Sequence, residues 1–182
     1  MKRTLILSAA FFGFAIASQA QNTNTDNVTL NVKLNPIQTL IVNQSQKEVN
    51  LEYTTVAQYA NGVSSAQADH LKIYSTGGFQ VKVKSSGSEL TTSKTGPAGN
   101  INANTIQIIP TAGTKAVNNA QYTISPLSAD EKIIVSATTG GVDKSVNIEY
   151  KGAGADAYVN HYVAGQNPTK YTTTVTYTII AQ

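Results

Sequence analysis

The 182-residue chain has no cysteine and no tryptophan, and Met1 is its only methionine. Without cysteine there are no disulfide staples, no thiol catalysis and no thiolate metal sites. The lipoprotein route is excluded too, because it needs a cysteine at the cleavage point. Such a domain is held together by its core or by its neighbours. Beyond residue 20 Phe79 is the sole phenylalanine. The aromatic content there rests on nine tyrosines, which tolerate half-buried positions with a wet hydroxyl. Charge of either sign is sparse, and no basic cluster stands out, so there is no electrostatic reason to expect a nucleic-acid partner.

Long apolar runs are also missing, with one exception. Leu5 to Ile16 is apolar but for Ser8 and Gly13, with Lys2 and Arg3 before it and Ser18, Gln19 and Ala20 after it. A basic start, a short apolar stretch and small residues at −3 and −1 make residues 1–20 a signal peptide cleaved after Ala20. The run is too short to span a bilayer, and the polar tract Gln21 to Asn27 follows, so no membrane insertion is expected after cleavage. Cleavage lowers the 13 basic residues to 11, against 10 acidic, so much of the basic pI belongs to the leader.

What remains is patterned for strands. Val28, Leu30, Val32 and Leu34 alternate with polar residues, the period-2 mark of a strand with one buried face, until Asn35-Pro36 interrupts them. Further strands are expected over Ile37–Val42, Val49–Tyr53, His70–Thr76, Phe79–Ser85, Thr105–Ile109, Ala120–Ile124, Lys132–Ala137, Ser145–Tyr150, Tyr158–Val163 and Tyr171–Ala181. Gly77-Gly78 reads as a hairpin turn, Thr54–Asp69 as a loop despite a possible helical turn at Ala57, Tyr59 and Ala60, and Gly87–Ile101 as an exposed loop. About ten short strands without a convincing amphipathic helix indicate an all-β, immunoglobulin-like β-sandwich. A closed barrel is the alternative fold. The organisation expected is a leader over 1–20, an N-terminal extension over 21–35 and one sandwich domain over 36–182.

Residues that carry chemistry are few. His70 and His161 each fall in an expected strand with no metal-ligand spacing, and read as surface or edge histidines. Asp130 and Glu131 are adjacent, so on a strand they would face opposite ways, which does not suit an acid–base pair. There is no Gly-x-Ser-x-Gly elbow and no phosphate-cradling glycine loop. Two sequons, at Asn27 and Asn43, match a pattern that is common by chance in so Asn-, Ser- and Thr-rich a chain. Tyr158, Tyr162, Tyr171 and Tyr177 suit the core or a strand surface, with a sugar-stacking surface as the competing use. Neither a cofactor nor enzymatic activity is expected.

The order of these segments resembles a known family. Val28, Leu30, Val32 and Leu34 run into Asn35, Pro36 and Ile37. Val49, Leu51 and Tyr53 follow, then Leu71, Ile73 and Ser75, then Val81 and Val83, and a closing strand carries Tyr171 and Val175. This is similar to the cysteine-free pilins of the colonisation-factor class of chaperone–usher fimbriae, and more loosely to other fimbrial-type sandwich domains. Asn35 stands where that class usually has an acidic residue, and Thr173 where it often has glycine. The resemblance implies a sandwich lacking one strand, which the extension of the next subunit supplies. Val28, Leu30, Val32 and Leu34 would be that donor strand, and Tyr171, Val175, Tyr177 and Ile179 would lie on the closing strand. It also implies self-association into a surface fimbria, with a periplasmic chaperone and an outer-membrane usher as partners. A monomeric secreted module that binds glycan or cell wall is the alternative function.

Overall fold

The structure, a computed structural model, describes residues 24–182. The expected leader and its cleavage point lie outside the described residues. The chain divides at Leu34/Asn35 into two units. Residues 24–34 contain neither helix nor strand, and the side chains of Val28, Leu30, Val32 and Leu34 are 78–93% exposed. The strand expected there is therefore not formed. Alternation supplies a face, but a strand also needs a ladder partner, and this segment has none among the described residues.

Residues 35–182 form an all-β sandwich. Its strands are β1 (Gln38–Val42), β2 (Ser64–Ser75), β3 (Phe79–Ser85), β4 (Glu89–Leu90), β5 (Ile101–Asn102), β6 (Gln107–Ala112), β7 (Gln121–Tyr122), β8 (Ser125–Pro126), β9 (Lys132–Ala137), β10 (Gly141–Lys151) and β11 (Val175–Ala181). One sheet has the order β1-β2-β10-β6-β8, and the facing sheet β11-β3-β9-β7. β4 and β5 pair separately, and the main ladders are antiparallel. The shared core takes Leu71 and Ile73 from β2, Val146 and Ile148 from β10 and Ile108 from β6, against Phe79, Val81 and Val83 from β3 and Val135 from β9.

Two expected strands, β3 and β9, form over the full ranges read from the sequence. Elsewhere the structure corrects the reading. Gly77-Gly78 is not a hairpin turn, because β2 and β3 lie in different sheets. The link crosses the end of the sandwich where a Cβ on Gly78 would stand 3.0 Å from the Thr138 carbonyl oxygen, and that approach is what glycine permits. Part of Thr54–Asp69 is a helix, α1 (Val56–Asn61). The Thr55 and Gln58 side chains form its capping box, and Gly62 at φ 82° ends it. β2 then begins at Ser64, six residues before the strand expected from His70.

No strand forms over residues 158–163, of which 158–160 lie in a turn, with Asn160 in the left-handed region at φ 69°. Val49–Tyr53 is not a strand either. Val49, Leu51 and Tyr53 alternate in burial and pack on the core, yet no backbone–backbone hydrogen bond among the described residues involves them. Asp130 and Glu131 fall in the turn before β9.

Candidate functional site: an open sheet edge and the relay behind it

The hydrogen-bonding parity of β11 defines the site. Gln182 N–H donates to the Gly78 carbonyl, and Ser86 N–H to that of Thr174, in the register that pairs Val175 with Ser85 and Ala181 with Phe79. In an antiparallel ladder this alternates strictly. Thr176, Thr178 and Ile180 therefore turn their backbone groups to β3, while Val175, Tyr177, Ile179 and Ala181 turn theirs outward. No strand pairs with that outer side among the described residues.

β1 shows the complementary parity. The Ile37 carbonyl accepts from Thr76 N–H, and Asn43 N–H donates to the His70 carbonyl. The outward backbone groups of β1 are thus those of Gln38, Leu40 and Val42. β1 and β11 are close neighbours with no ladder between them. Gln38 pairs with Ser75 and Ala181 with Phe79, so the start of β1 and the finish of β11 share one end of the sandwich. Between them runs a seam in which Leu40, Val42, Val175, Tyr177 and Ile179 pack on the core but remain half-buried.

β11 is the longest of the sandwich's outer strands, and it shares with β1 (Gln, Thr, Leu, Ile and Val) the lack of any charge or proline. β7 and β8 are two residues long, and β8 contains Pro126. β11 has seven residues, Val, Thr, Tyr, Thr, Ile, Ile and Ala, with no charge and no proline. Charges, proline and shortness are what normally keep an edge from pairing with another chain.

Behind the seam lies a buried polar chain. Gln46 Nε2 donates to the Ala68 carbonyl at 2.9 Å, which turns Gln46 Oε1 toward His70 Nδ1 at 3.0 Å. His70 Nδ1 therefore carries the proton, and Nε2 accepts from the Tyr150 hydroxyl at 3.0 Å. The Tyr150 oxygen in turn accepts from the Tyr177 hydroxyl at 2.6 Å. His70 also packs edge-on against both rings. The chain joins β2 and β10 of one sheet to β11 of the other. Burial pushes Tyr150 up to about 12, lifts Tyr177 well above the ordinary phenol value and lowers His70.

His70 is thus neither a surface nor an edge histidine; it is 1% exposed. Around the bulge opposite Asn147, β2 carries Asp69 at φ 47°, and both His70 and Leu71 point inward. The Asp69 carboxylate accepts from the Ser145 hydroxyl and from the hydroxyl and backbone N–H of Thr114. These bonds lower its pKa, the Ser145 bond most.

Of the tyrosines singled out in the sequence, Tyr177 lies in the seam and Tyr158 is buried, with its hydroxyl hydrogen-bonded to that of Thr105. Tyr162 is exposed. Tyr171 lies outside β11, its hydroxyl donating to backbone carbonyls of loops near His161. His161 Nδ1 sits 3.1 Å from the Gly99 carbonyl. Among the described residues no three His, Cys, Asp or Glu side chains converge as a metal site would need. The seam residues of β1, and the Gln46–Tyr150 link, were not read from the sequence; the alternation of Leu40 and Val42 was the only signal for them.

Two shallow clefts lie elsewhere. One, about 520 Å³, is lined by Thr91, Thr92, Ser93, Gln166, Lys170 and Thr172. The other, about 740 Å³, is lined by residues that include Asn104, Gln107, Ile124 and Lys151. Neither contains a carboxylate or an imidazole. No protein-family model matches this chain, and a search of curated proteins finds no match.

Proposed function

We propose that the protein is an exported structural subunit that assembles into a surface fimbria or adhesive layer. In this reading the segment holding Val28, Leu30, Val32 and Leu34 of one copy adds as a strand along β11 of the next. The observation that carries it is the β11 edge: outward backbone groups over seven uncharged residues, above half-buried apolar side chains. The extension has the matching pattern, with four exposed aliphatic side chains at alternate positions. Backbone pairing would give a sequence-tolerant ladder, and alternate side chains entering the seam would fix the register. A chaperone that covers the edge before assembly and an usher that receives the subunit belong to the same proposal, as does the absence of catalysis.

The cysteine-free background makes the test direct. One variant carries Leu30→Cys alone, and a second carries Val175→Cys or Ile179→Cys alone. Mixed under mild oxidation, they should give a disulfide-linked dimer of one copy of each. If mixing gives no such dimer, and only the double variant cross-links within a single chain, the strand belongs to its own sandwich and the proposal fails.

The alternative, a monomeric glycan-binding module, draws on the cleft lined by Thr91, Thr92, Ser93 and Thr172. There Gln166 Oε1 is buried without a hydrogen-bond partner, and a sugar hydroxyl would supply one. A polymeric wild type with no glycan affinity would leave that reading without support.

A further inference from the structure

The relay Gln46–His70–Tyr150–Tyr177 has one consistent direction when His70 is neutral, with each hydroxyl donating inward from Tyr177 to Tyr150 and from Tyr150 to His70 Nε2. A proton added at Nε2 turns that nitrogen from acceptor to donor. Tyr150 then accepts from His70, and its contact with Tyr177 can hold only one of the two hydroxyl protons. One hydroxyl is left without an acceptor in the core, and where Tyr150 donates to the Tyr177 oxygen it is the Tyr177 hydroxyl that turns away. Tyr177 sits on β11 and its backbone groups face the seam, so a proton taken up in the core changes the open edge.

We infer that His70, Tyr150 and Tyr177 form a proton-controlled latch, which ties β11 to β2 and β10 while His70 is neutral and loosens β11 when His70 is protonated. The inference deepens the assembly reading, on which only its consequence for subunit joining rests. No charged side chain bonds to the relay. On β2 the flanking charges are Asp69, held by Ser145 and Thr114, and the exposed Lys72. On β10 they are Asp143, paired with Lys115, and Lys144, Glu149 and Lys151, and just past Gln46 they are Lys47 and Glu48, the latter paired with Lys170. β11 carries no charge. Burial is the cause that lowers His70, and no carboxylate hydrogen-bonds to the imidazole to offset it. A histidine whose folded pKa is depressed stabilises the fold fully above its ordinary value. That contribution is lost as pH falls through the ordinary value and on through the folded one.

The test is hydrogen exchange at the amides of Thr176, Thr178 and Ile180, which bind β3, in the full chain at neutral pH and at about pH 5, corrected for intrinsic exchange, with His70 titration followed by NMR. In wild type the β11 protection should fall as His70 takes up its proton, by up to about tenfold per pH unit for a single linked proton. In His70→Gln the fall should vanish. Tyr177→Phe keeps the titrating imidazole but removes the link to β11, so His70 should still titrate while β11 protection stays level. This second variant carries the test if His70→Gln fails to fold. A wild-type β11 that does not respond while His70 titrates overturns the latch, as does a His70 that never titrates in the folded chain or a Tyr177→Phe variant with the full wild-type response. Polymer formation is read separately on a native gel. A responsive β11 with no polymer at any pH keeps the latch and removes the assembly reading; a polymer with an unresponsive β11 does the reverse.

Discussion

Tyr150 holds the middle of the buried relay, donating to His70 and accepting from Tyr177. Tyr150→Phe leaves the buried His70 Nε2 acceptor and the Tyr177 donor unsatisfied together. An unsatisfied buried group costs about 1–3 kcal/mol, whereas a lost terminal hydrogen bond costs about 0.5–1.5 kcal/mol. Tyr150→Phe should therefore destabilise the fold more than Tyr177→Phe, by about 1 kcal/mol or more in urea unfolding. Equal losses would mean that the relay does not run in the direction assigned here. At this scale the sequence was hard to read. A histidine in an alternating strand looks like one that faces solvent or lies at an edge, and only the two extra residues of β2 opposite Asn147 turn His70 inward. Nothing in the residue types announces a bulge. Ser145 and Thr114, which hold Asp69 within it, lie far along the chain.

At the scale of elements, β11 gives a prediction that depends on parity alone. Thr178 N–H points to β3, so Thr178→Pro removes a ladder bond and leaves the Lys82 carbonyl short of a donor, at a cost of about 1–3 kcal/mol. Ala181 N–H points outward and its side chain is exposed, so Ala181→Pro should change stability little while it weakens the joint between subunits. Thermal melts and native gels of the two variants should separate in opposite senses. Comparable destabilisation by both would place a pairing strand on the outer edge within the monomer. Strands buried on one face, such as β3 and β9, were legible because burial and pairing coincide there. Val49–Tyr53 misled because its alternation reports burial only: three side chains reach the core, and the backbone pairs with nothing described. The shorter strands β4, β5 and β8 have two residues each, too few for a periodicity to register.

For the whole molecule, the all-β sandwich was legible from the number and spacing of apolar alternations, since few other folds bury so many short amphipathic strands without helices. Which strands lie across the core from one another was not, because period-2 patterning gives each strand a face but no partner. The open seam follows from that partnering: β11 lies at a sheet edge, and among the described residues no strand pairs with its outer side. Burying Val28, Leu30, Val32 and Leu34 against a neighbour would contribute roughly 6–12 kcal/mol, before the ordering and association costs that take back several. A charge placed in that joint removes most of the gain and adds a desolvation cost, while a segment that pairs with no strand among the described residues leaves the fold itself untouched. The most direct measurement is a thermal melt beside a native gel, on wild type and on Leu30→Asp. The account predicts a polymeric wild type, and a Leu30→Asp variant that is monomeric and still melts cooperatively near the temperature of the folded subunit. An unfolded Leu30→Asp variant beside a monomeric wild type would contradict it.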